Sequence, residues 1–106
     1  MRRESSYQSD LIKTIKARFP GIFVMKMPTD TIQGIPDLLL LYGDRWAILE
    51  AKRSEHEPFQ PNQEYYIDMF DEMSFASVIH PNNEEEVLNE LRLAFRVGRP
   101  ACVSQS

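Results

Sequence analysis

Two apolar runs joined by a Gly-Asp pair constrain this chain more than any other feature of its sequence. The runs cover residues 37–42 and 45–52, and Gly43-Asp44 lies between them in the stretch GIPDLLLLYGDRWAILEAK. A Gly-Asp pair in this position is typical of a β-hairpin with a two-residue turn. We therefore expect two antiparallel strands whose register is set by the turn.

The turn brings two carboxylates together. Residues equally far from Gly43-Asp44 face each other, which places Asp37 opposite Glu50. Directly opposed residues share one face of the sheet, with Cβ atoms roughly 4.5–5.5 Å apart. Lys52 falls on the same face because side chains alternate along a strand. The hairpin thus predicts one cluster of Asp37, Glu50 and Lys52.

This cluster has two interpretations. Two acids placed directly opposite each other in an apolar hairpin repel, and Lys52 offsets only one of the charges. A divalent cation would offset more, because clustered carboxylate oxygens are suitable ligands for Mg²⁺ and Mn²⁺. The alternative is a triad of surface ion pairs. The position of both acids at strand ends, beside the Gly-Ile-Pro segment 34–36, favours a functional site.

Length and composition limit the possibilities further. With 106 residues we expect a single domain over residues 1–98, followed by a disordered tail over 99–106. The lone cysteine, Cys102, cannot form an internal disulfide, which favours a cytoplasmic protein. No apolar run is long enough to span a bilayer, so no membrane association is expected.

The charge distribution is uneven. The net charge of −4 is unusual for a protein that binds nucleic acid. Residues 1–53, however, contain nine Lys or Arg against six Asp or Glu, whereas residues 54–106 contain three against ten. The half that carries the carboxylate cluster could therefore hold a small phosphate footprint.

Apolar periodicity predicts the remaining elements. We expect a helix from residue 5 or 6 to 19, a strand over 22–27, a helix from Pro61 to about Glu72, a strand over 75–80, and a last helix that begins after Asn82 or Asn83 and ends at Gly98. The apolar residues of the second helix cover nearly half of its circumference. A neighbouring helix or a second subunit is expected to cover the excess.

Polar residues interrupt two apolar helix faces. Glu4 and Gln8 fall on the apolar stripe of the first helix. Glu4 either belongs to a site or lies in the first helical turn, where an acid suits the helix dipole. Gln63 shares a line with Ile67 and Phe70, where a buried amide needs hydrogen-bond partners. It either reaches the acidic cluster or a bound phosphate, or bonds to the backbone of the adjacent loop.

The pattern Pro36-Asp37 followed by Glu50-Ala51-Lys52, in the element order αβββαβ, resembles the PD-(D/E)XK nuclease superfamily. Together with the segment GIPDLLL and with Gln63 at the start of a helix, it is most similar to the VRR-NUC family, known from stand-alone phage enzymes. The resemblance covers the chain from Glu4 to about Val78. It implies the α/β fold class, with a restriction-endonuclease-like αβββαβ core in which helices flank a small mixed sheet, plus a C-terminal helix.

The resemblance also implies a metal-dependent DNA endonuclease and a role for each site residue. Asp37 and Glu50 would be direct ligands of Mg²⁺ or Mn²⁺, together with the backbone carbonyl of Ala51. Lys52 would orient the attacking water or help to deprotonate it. Gln63 would hold the lysine or the scissile phosphate. Glu4 would match the first-helix acid of the family and contribute to the metal site through water.

Small stand-alone members of the family resemble homodimeric Holliday-junction resolvases. By this analogy we expect a homodimer that acts on branched DNA. Two alternatives stay open. The first is a nuclease on flaps, single strands or duplex ends, and the second is a non-catalytic nucleic-acid-binding module whose acid cluster is a relic.

Overall fold

The structure, a computed structural model, describes residues 4–28 and 30–97, except for the side chains of Glu4, Ser5 and Val97. The predicted tail over 99–106 and the expected helix end at Gly98 lie outside these residues. The elements follow in the order α1 (Glu4–Arg18), β1 (Phe23–Lys26), β2 (Leu38–Tyr42), β3 (Arg45–Ala51), α2 (Gln63–Met73), β4 (Ala76–Ile79) and α3 (Glu84–Val97). This is the order that the sequence predicts.

The predicted hairpin and its register are confirmed. Tyr42 faces Arg45 across the turn, and at the other end of the pair Leu38 faces Leu49. Gly43 has a φ of 65°, the left-handed conformation that two-residue hairpin turns require. The register predicted from the turn therefore holds along the whole length of the strands.

Both strands are one residue shorter than predicted at the end where the charged residues lie. Asp37 precedes β2 and Lys52 follows β3. Their backbones nevertheless continue the pairing, because the N–H of Met27, which follows β1, donates to Asp37 O at 2.8 Å, and Lys52 N donates to Ile79 O of β4 at 2.8 Å. Both residues thus extend the sheet although neither is part of a strand.

The four strands form one mixed sheet in the order β1-β2-β3-β4. β2 runs antiparallel to both β1 and β3, whereas β4 runs parallel to β3. Side chains alternate between the two faces of the sheet along β3. Ala47, Leu49 and Ala51 pack in the main core with residues of α1 and α3, whereas Ile48 packs on the other face with Ile67 of α2 and with β4. Helices thus flank both faces of the sheet, and the predicted restriction-endonuclease-like α/β fold is confirmed. No described helix is long and apolar enough to cross a membrane.

The acidic first turn of α3 is bound to α1. The Tyr7 hydroxyl donates to Glu84 Oε1 at 2.8 Å, and Arg18 forms an ion pair with Glu85. The hydrogen bond from the Arg18 guanidinium lowers the pKa of the Glu85 carboxyl and raises that of Arg18 itself. These contacts hold together the two helices that cover one face of the sheet.

The start of α2 was predicted wrongly. The sequence placed Pro61 as its first residue, whereas the helix begins at Gln63 and Asn62 has a left-handed backbone with φ 71°. Asn is among the few residues that adopt this conformation readily. The turn at Asn62 packs against Gly34, where an added Cβ would lie 2.5 Å from the carbonyl oxygen of Pro61. The loop before β2 and the start of α2 are therefore in contact at a distance that only glycine permits.

This contact predicts unequal effects for two similar substitutions. Gly34 and Gly21 have nearly the same φ, 92° and 89°, but nothing lies within 4 Å of a Cβ added at Gly21. Both Gly→Ala changes carry a left-handed backbone cost of about 1–2 kcal/mol. We expect Gly34→Ala to lower the free energy of unfolding by a further ~1–3 kcal/mol, because its Cβ displaces the start of α2. Urea unfolding of both variants measures the difference, and equal losses would contradict the contact.

Candidate active site

The acidic cluster lies at the open end of the hairpin, away from the turn. Asp37, Glu50 and Lys52 line a single cavity of about 650 Å³. Side chains from four other parts of the chain also line it, among them Gln8 of α1, Lys26 of β1, Gln63 of α2, and Glu57 and Gln60 of the loop after β3. The structure thus brings together the three residues that the hairpin register predicts.

Hydrogen bonds from two directions hold the carboxylate of Asp37. Its Oδ1 accepts from the backbone N–H of Ala51 at 3.1 Å, and its Oδ2 accepts from the side-chain amide of Gln8 at 3.0 Å. Pro36, which is fully buried, fixes the backbone just before it. The carboxylate therefore has a defined orientation toward β3 and α1, although Asp37 itself lies in a loop.

Glu50 and Lys52 are almost completely buried, with exposed fractions of 3% and 2%. The side-chain amide of Gln63 bridges them. Its Nε2 donates to Glu50 Oε2 at 2.9 Å, and its Oε1 accepts from Lys52 Nζ at 2.9 Å. The lysine nitrogen lies 3.7 Å from the same Glu50 oxygen. The amide nitrogen thus faces the carboxylate of Glu50, and the amide oxygen faces the amino group of Lys52.

Gln63 also satisfies the other interpretation of its sequence position. Its Oε1 accepts a second hydrogen bond, at 2.8 Å, from the backbone N–H of Gln60 in the preceding loop. The two interpretations that the sequence left open for this amide are therefore both correct. One side chain connects the acidic cluster to the loop that leads into α2.

The loop between β3 and α2 folds back over Lys52. The lysine Nζ donates to the carbonyl oxygen of Pro58 at 3.1 Å and lies 5.9 Å from the centre of the Phe59 ring. Together with the bond to Gln63, these contacts fix the ammonium group at one position beside Glu50. A lysine held in this way can place positive charge at a defined point in the cavity.

The sequence pattern named Glu4 as a candidate site residue, which stays a prediction, and did not name Gln8. Glu4 is the first residue of α1, and its side chain lies outside the described part of the structure. Gln8 follows one turn later and reaches Asp37 directly. The signal for Gln8 was present in the sequence, because it is a polar side chain on an apolar stripe. No sequence pattern indicated the contacts of Pro58 and Phe59 with Lys52.

Oxygen atoms dominate the possible metal ligands of the cavity. Among the side chains that the structure describes, which do not include that of Glu4, no group of three or more His, Cys, Asp and Glu could hold a metal. The predicted set instead combines two carboxylates, Asp37 and Glu50, with the main-chain carbonyl of Ala51. Such oxygen donors match the preference of Mg²⁺ and Mn²⁺. Because both carboxylates line one cavity, the residues present fit a cation of this class.

The buried pair predicts how stability depends on charge. Lys52→Met leaves the Glu50 carboxylate buried beside no cation, which should lower the free energy of unfolding by ~3–5 kcal/mol. The double variant Glu50→Gln/Lys52→Met removes that charge and should recover part of the loss.

Urea unfolding of the wild type and of both variants measures the loss and its recovery. If the single and double variants were equally destabilised, the charge pair would not be the source of the loss.

Comparison with known proteins supports the architecture. No family model matches the sequence, and no curated protein matches it. A solved structure described as a VRR_NUC domain is similar, with a TM-score of 0.54 and 23% sequence identity, over 70% of this chain and 83% of that chain. A likeness at this level of identity concerns the path of the backbone. The chain therefore has the fold of that VRR_NUC domain.

Proposed function

We propose that the protein is a metal-dependent nuclease that hydrolyses phosphodiester bonds of DNA. The observation that carries the proposal is the cavity in which Asp37, Glu50 and a buried Lys52 meet, with Gln63 bridging the last two. The name of the structural relative, a VRR_NUC domain, agrees with this arrangement. The Asp37, Glu50-Ala51-Lys52 pattern in the sequence supports the same chemistry.

The residues of the cavity have separate roles in the proposed hydrolysis. Asp37, Glu50 and the Ala51 carbonyl would hold Mg²⁺ or Mn²⁺, which when bound lowers the pKa of water and neutralises charge on a phosphate oxygen. The Lys52 ammonium orients the attacking water and stabilises negative charge that develops in the transition state. Its fixed position matters, because groups that are already oriented need no rearrangement during the reaction.

Neighbouring side chains position these groups and the substrate. Gln63 holds the Lys52 ammonium, and Gln8 holds the Asp37 carboxylate. Lys26 of β1 is exposed and lines the same cavity, where its charge is available to a phosphate beside the one being cut. The chain thus supplies at least one cation for binding in addition to the lysine at the reaction centre.

The finer proposal is a homodimeric enzyme that acts on branched DNA, with Holliday-junction resolvase activity. One chain contributes one such cavity, so paired cuts on a junction require two copies. The exposed side chains of Tyr65 and Met73 on α2 support a dimer, because α2 packs against the sheet with its other side. The alternatives are a nuclease on flaps, single strands or duplex ends, and a non-catalytic binding module.

Substitution of Asp37 tests the nuclease proposal. Asp37→Asn keeps an oxygen for the Ala51 N–H, and the Gln8 amide can rotate to accept from the new amide. Stability should therefore change by less than ~1 kcal/mol, whereas cleavage should fall at least about a hundredfold because a charged metal ligand is lost. Asp44→Asn makes the same change at the exposed turn of the same hairpin and should cleave like the wild type.

Cleavage is measured on labelled four-way junction, flap, single strand and linear duplex, each with Mg²⁺, Mn²⁺ and Ca²⁺. Paired nicks on the junction would support a resolvase. Cleavage of only the other forms would support the alternative nuclease. DNA binding without cleavage in any metal would contradict the proposal and favour the binding module.

The dimer has its own matched test. Met73 on α2 and Leu93 on α3 have nearly the same exposed fractions, 56% and 57%. If α2 forms the interface, Met73→Glu should convert a dimer to a monomer, because burying the new charge is unfavourable, and paired nicks should become single nicks. Leu93→Glu should leave the dimer intact. Analytical ultracentrifugation measures the mass, and a monomeric wild type or equal effects of the two changes would rule out this interface.

A further inference from the structure

Phe59 exposes an aromatic ring at the edge of the candidate active site. Its exposed fraction is 46%, yet its ring centre lies only 5.9 Å from the nitrogen of the buried Lys52. Two residues close to it in sequence, Glu57 and Gln60, line the cavity. The ring therefore lies beside the lysine of the candidate active site and is partly open to solvent.

The backbone on both sides of Phe59 is fixed by the residues that organise the site. The carbonyl oxygen of Pro58 accepts from Lys52 Nζ at 3.1 Å, and the N–H of Gln60 donates to Gln63 Oε1 at 2.8 Å. Pro58 and Pro61 further restrict the segment, because proline fixes φ and limits the residue before it. The ring is thus presented to solvent on a backbone that needs no ordering when a ligand binds.

Such a ring suits stacking on a nucleobase. Proteins that bind single strands combine a groove for the backbone with aromatic side chains on which bases stack. The ring centre lies 5.9 Å from the Lys52 nitrogen. A base stacked on the ring would therefore belong to a nucleotide close to a phosphate that Lys52 contacts.

The charge of the protein limits how strongly electrostatic attraction alone can bind DNA. The net charge is −4, and besides Asp37 and Glu50, whose charges a bound divalent cation would offset, the cavity contains Asp30 and Glu57 against Lys26 and Lys52. Attraction to the phosphate backbone alone is therefore weak at physiological salt. Stacking adds affinity that depends less on salt, and it does so only for a base with a free face.

We propose that Phe59 is a stacking site for a nucleobase next to the scissile phosphate. This inference rests on the proposed nuclease function and narrows its substrate class. In a continuous duplex both faces of each base are covered by neighbours, so the ring can stack only on an unpaired or terminal nucleotide. Phe59 therefore selects DNA that has an unstacked nucleotide beside the cut, as in single strands, flaps and branch points.

The test compares two substrates of the same sequence, one with unpaired nucleotides at the cut and one a continuous duplex. Phe59→Ala and Phe59→Leu should lower the ratio of kcat/KM for the unpaired over the duplex substrate by about 5- to 150-fold, the range expected for loss of one stacked base. Phe59→Trp should preserve the ratio, because it retains a stacking surface. Phe23→Ala is the matched control, since Phe23 is 55% exposed at the far end of β1.

A ring that only supports the loop or Lys52 would affect both substrates equally. An unchanged ratio in Phe59→Ala, together with active wild-type enzyme, would therefore overturn the stacking site and leave the nuclease proposal standing. A fall in the ratio for Phe59→Trp equal to that for Phe59→Ala would also overturn it.

A second readout does not depend on cleavage. Single-stranded DNA with 2-aminopurine near its middle is titrated with each variant in Ca²⁺, and stacking on Phe59 should quench the fluorescence with wild type and Phe59→Trp but not with Phe59→Ala. If the wild type cleaves no DNA in any metal, the nuclease proposal fails, and this measurement still decides the stacking site. Equal fluorescence with wild type and Phe59→Ala would refute it.

Discussion

Glu50 and Lys52 are buried side by side, and the surrounding structure is arranged around these two charges. Removing an ion from water costs several kcal/mol, which a buried pair recovers only when its remaining donors and acceptors are also satisfied. The protein meets this requirement with the amide of Gln63 and the carbonyl of Pro58. Strand β3, helix α2 and the loop between them are thereby joined at one point. These hydrogen bonds also fix the conformation of the loop that carries the exposed ring of Phe59.

The two acids of the site differ in a way that suits a metal-dependent reaction. Glu50 is buried and paired with a lysine, whereas Asp37 is half-buried in a loop and is held by Gln8 and the backbone of Ala51. One carboxylate is therefore fixed by the interior and the other by contacts at the edge of the sheet. Both face one cavity before any ligand enters, and such preorganisation lowers the cost of assembling a reactive arrangement.

The sequence predicted the central hairpin well because local rules determine it. A two-residue turn and the period-two alternation of strands together fix which residues share a face, so the position of Asp37 relative to Glu50 required no knowledge of the rest of the fold. Gln63 was also found, since an amide on an apolar helix face needs a partner. The predicted order of helices and strands was also correct, because the apolar periodicity that identifies each element is a local pattern too.

The errors and omissions arose where distant parts of the chain meet. The start of α2 depends on the left-handed turn at Asn62 and its close packing on Gly34, which no local pattern reports. The contact of Gln8 with Asp37 depends on how α1 lies across the sheet. The return of the loop to Lys52 depends on a hydrogen bond to a carbonyl group, which carries no side-chain signal. Tertiary packing decided each of these features.

We infer that Asp37 and Glu50 together bind a divalent cation beside Lys52. Diffraction from crystals grown with Mn²⁺, measured at a wavelength where manganese scatters anomalously, tests this inference most directly. We expect an anomalous peak in the cavity, in contact with both carboxylates, that disappears in Asp37→Asn. A peak elsewhere, or none at millimolar Mn²⁺, would contradict the assignment of these residues as a metal site.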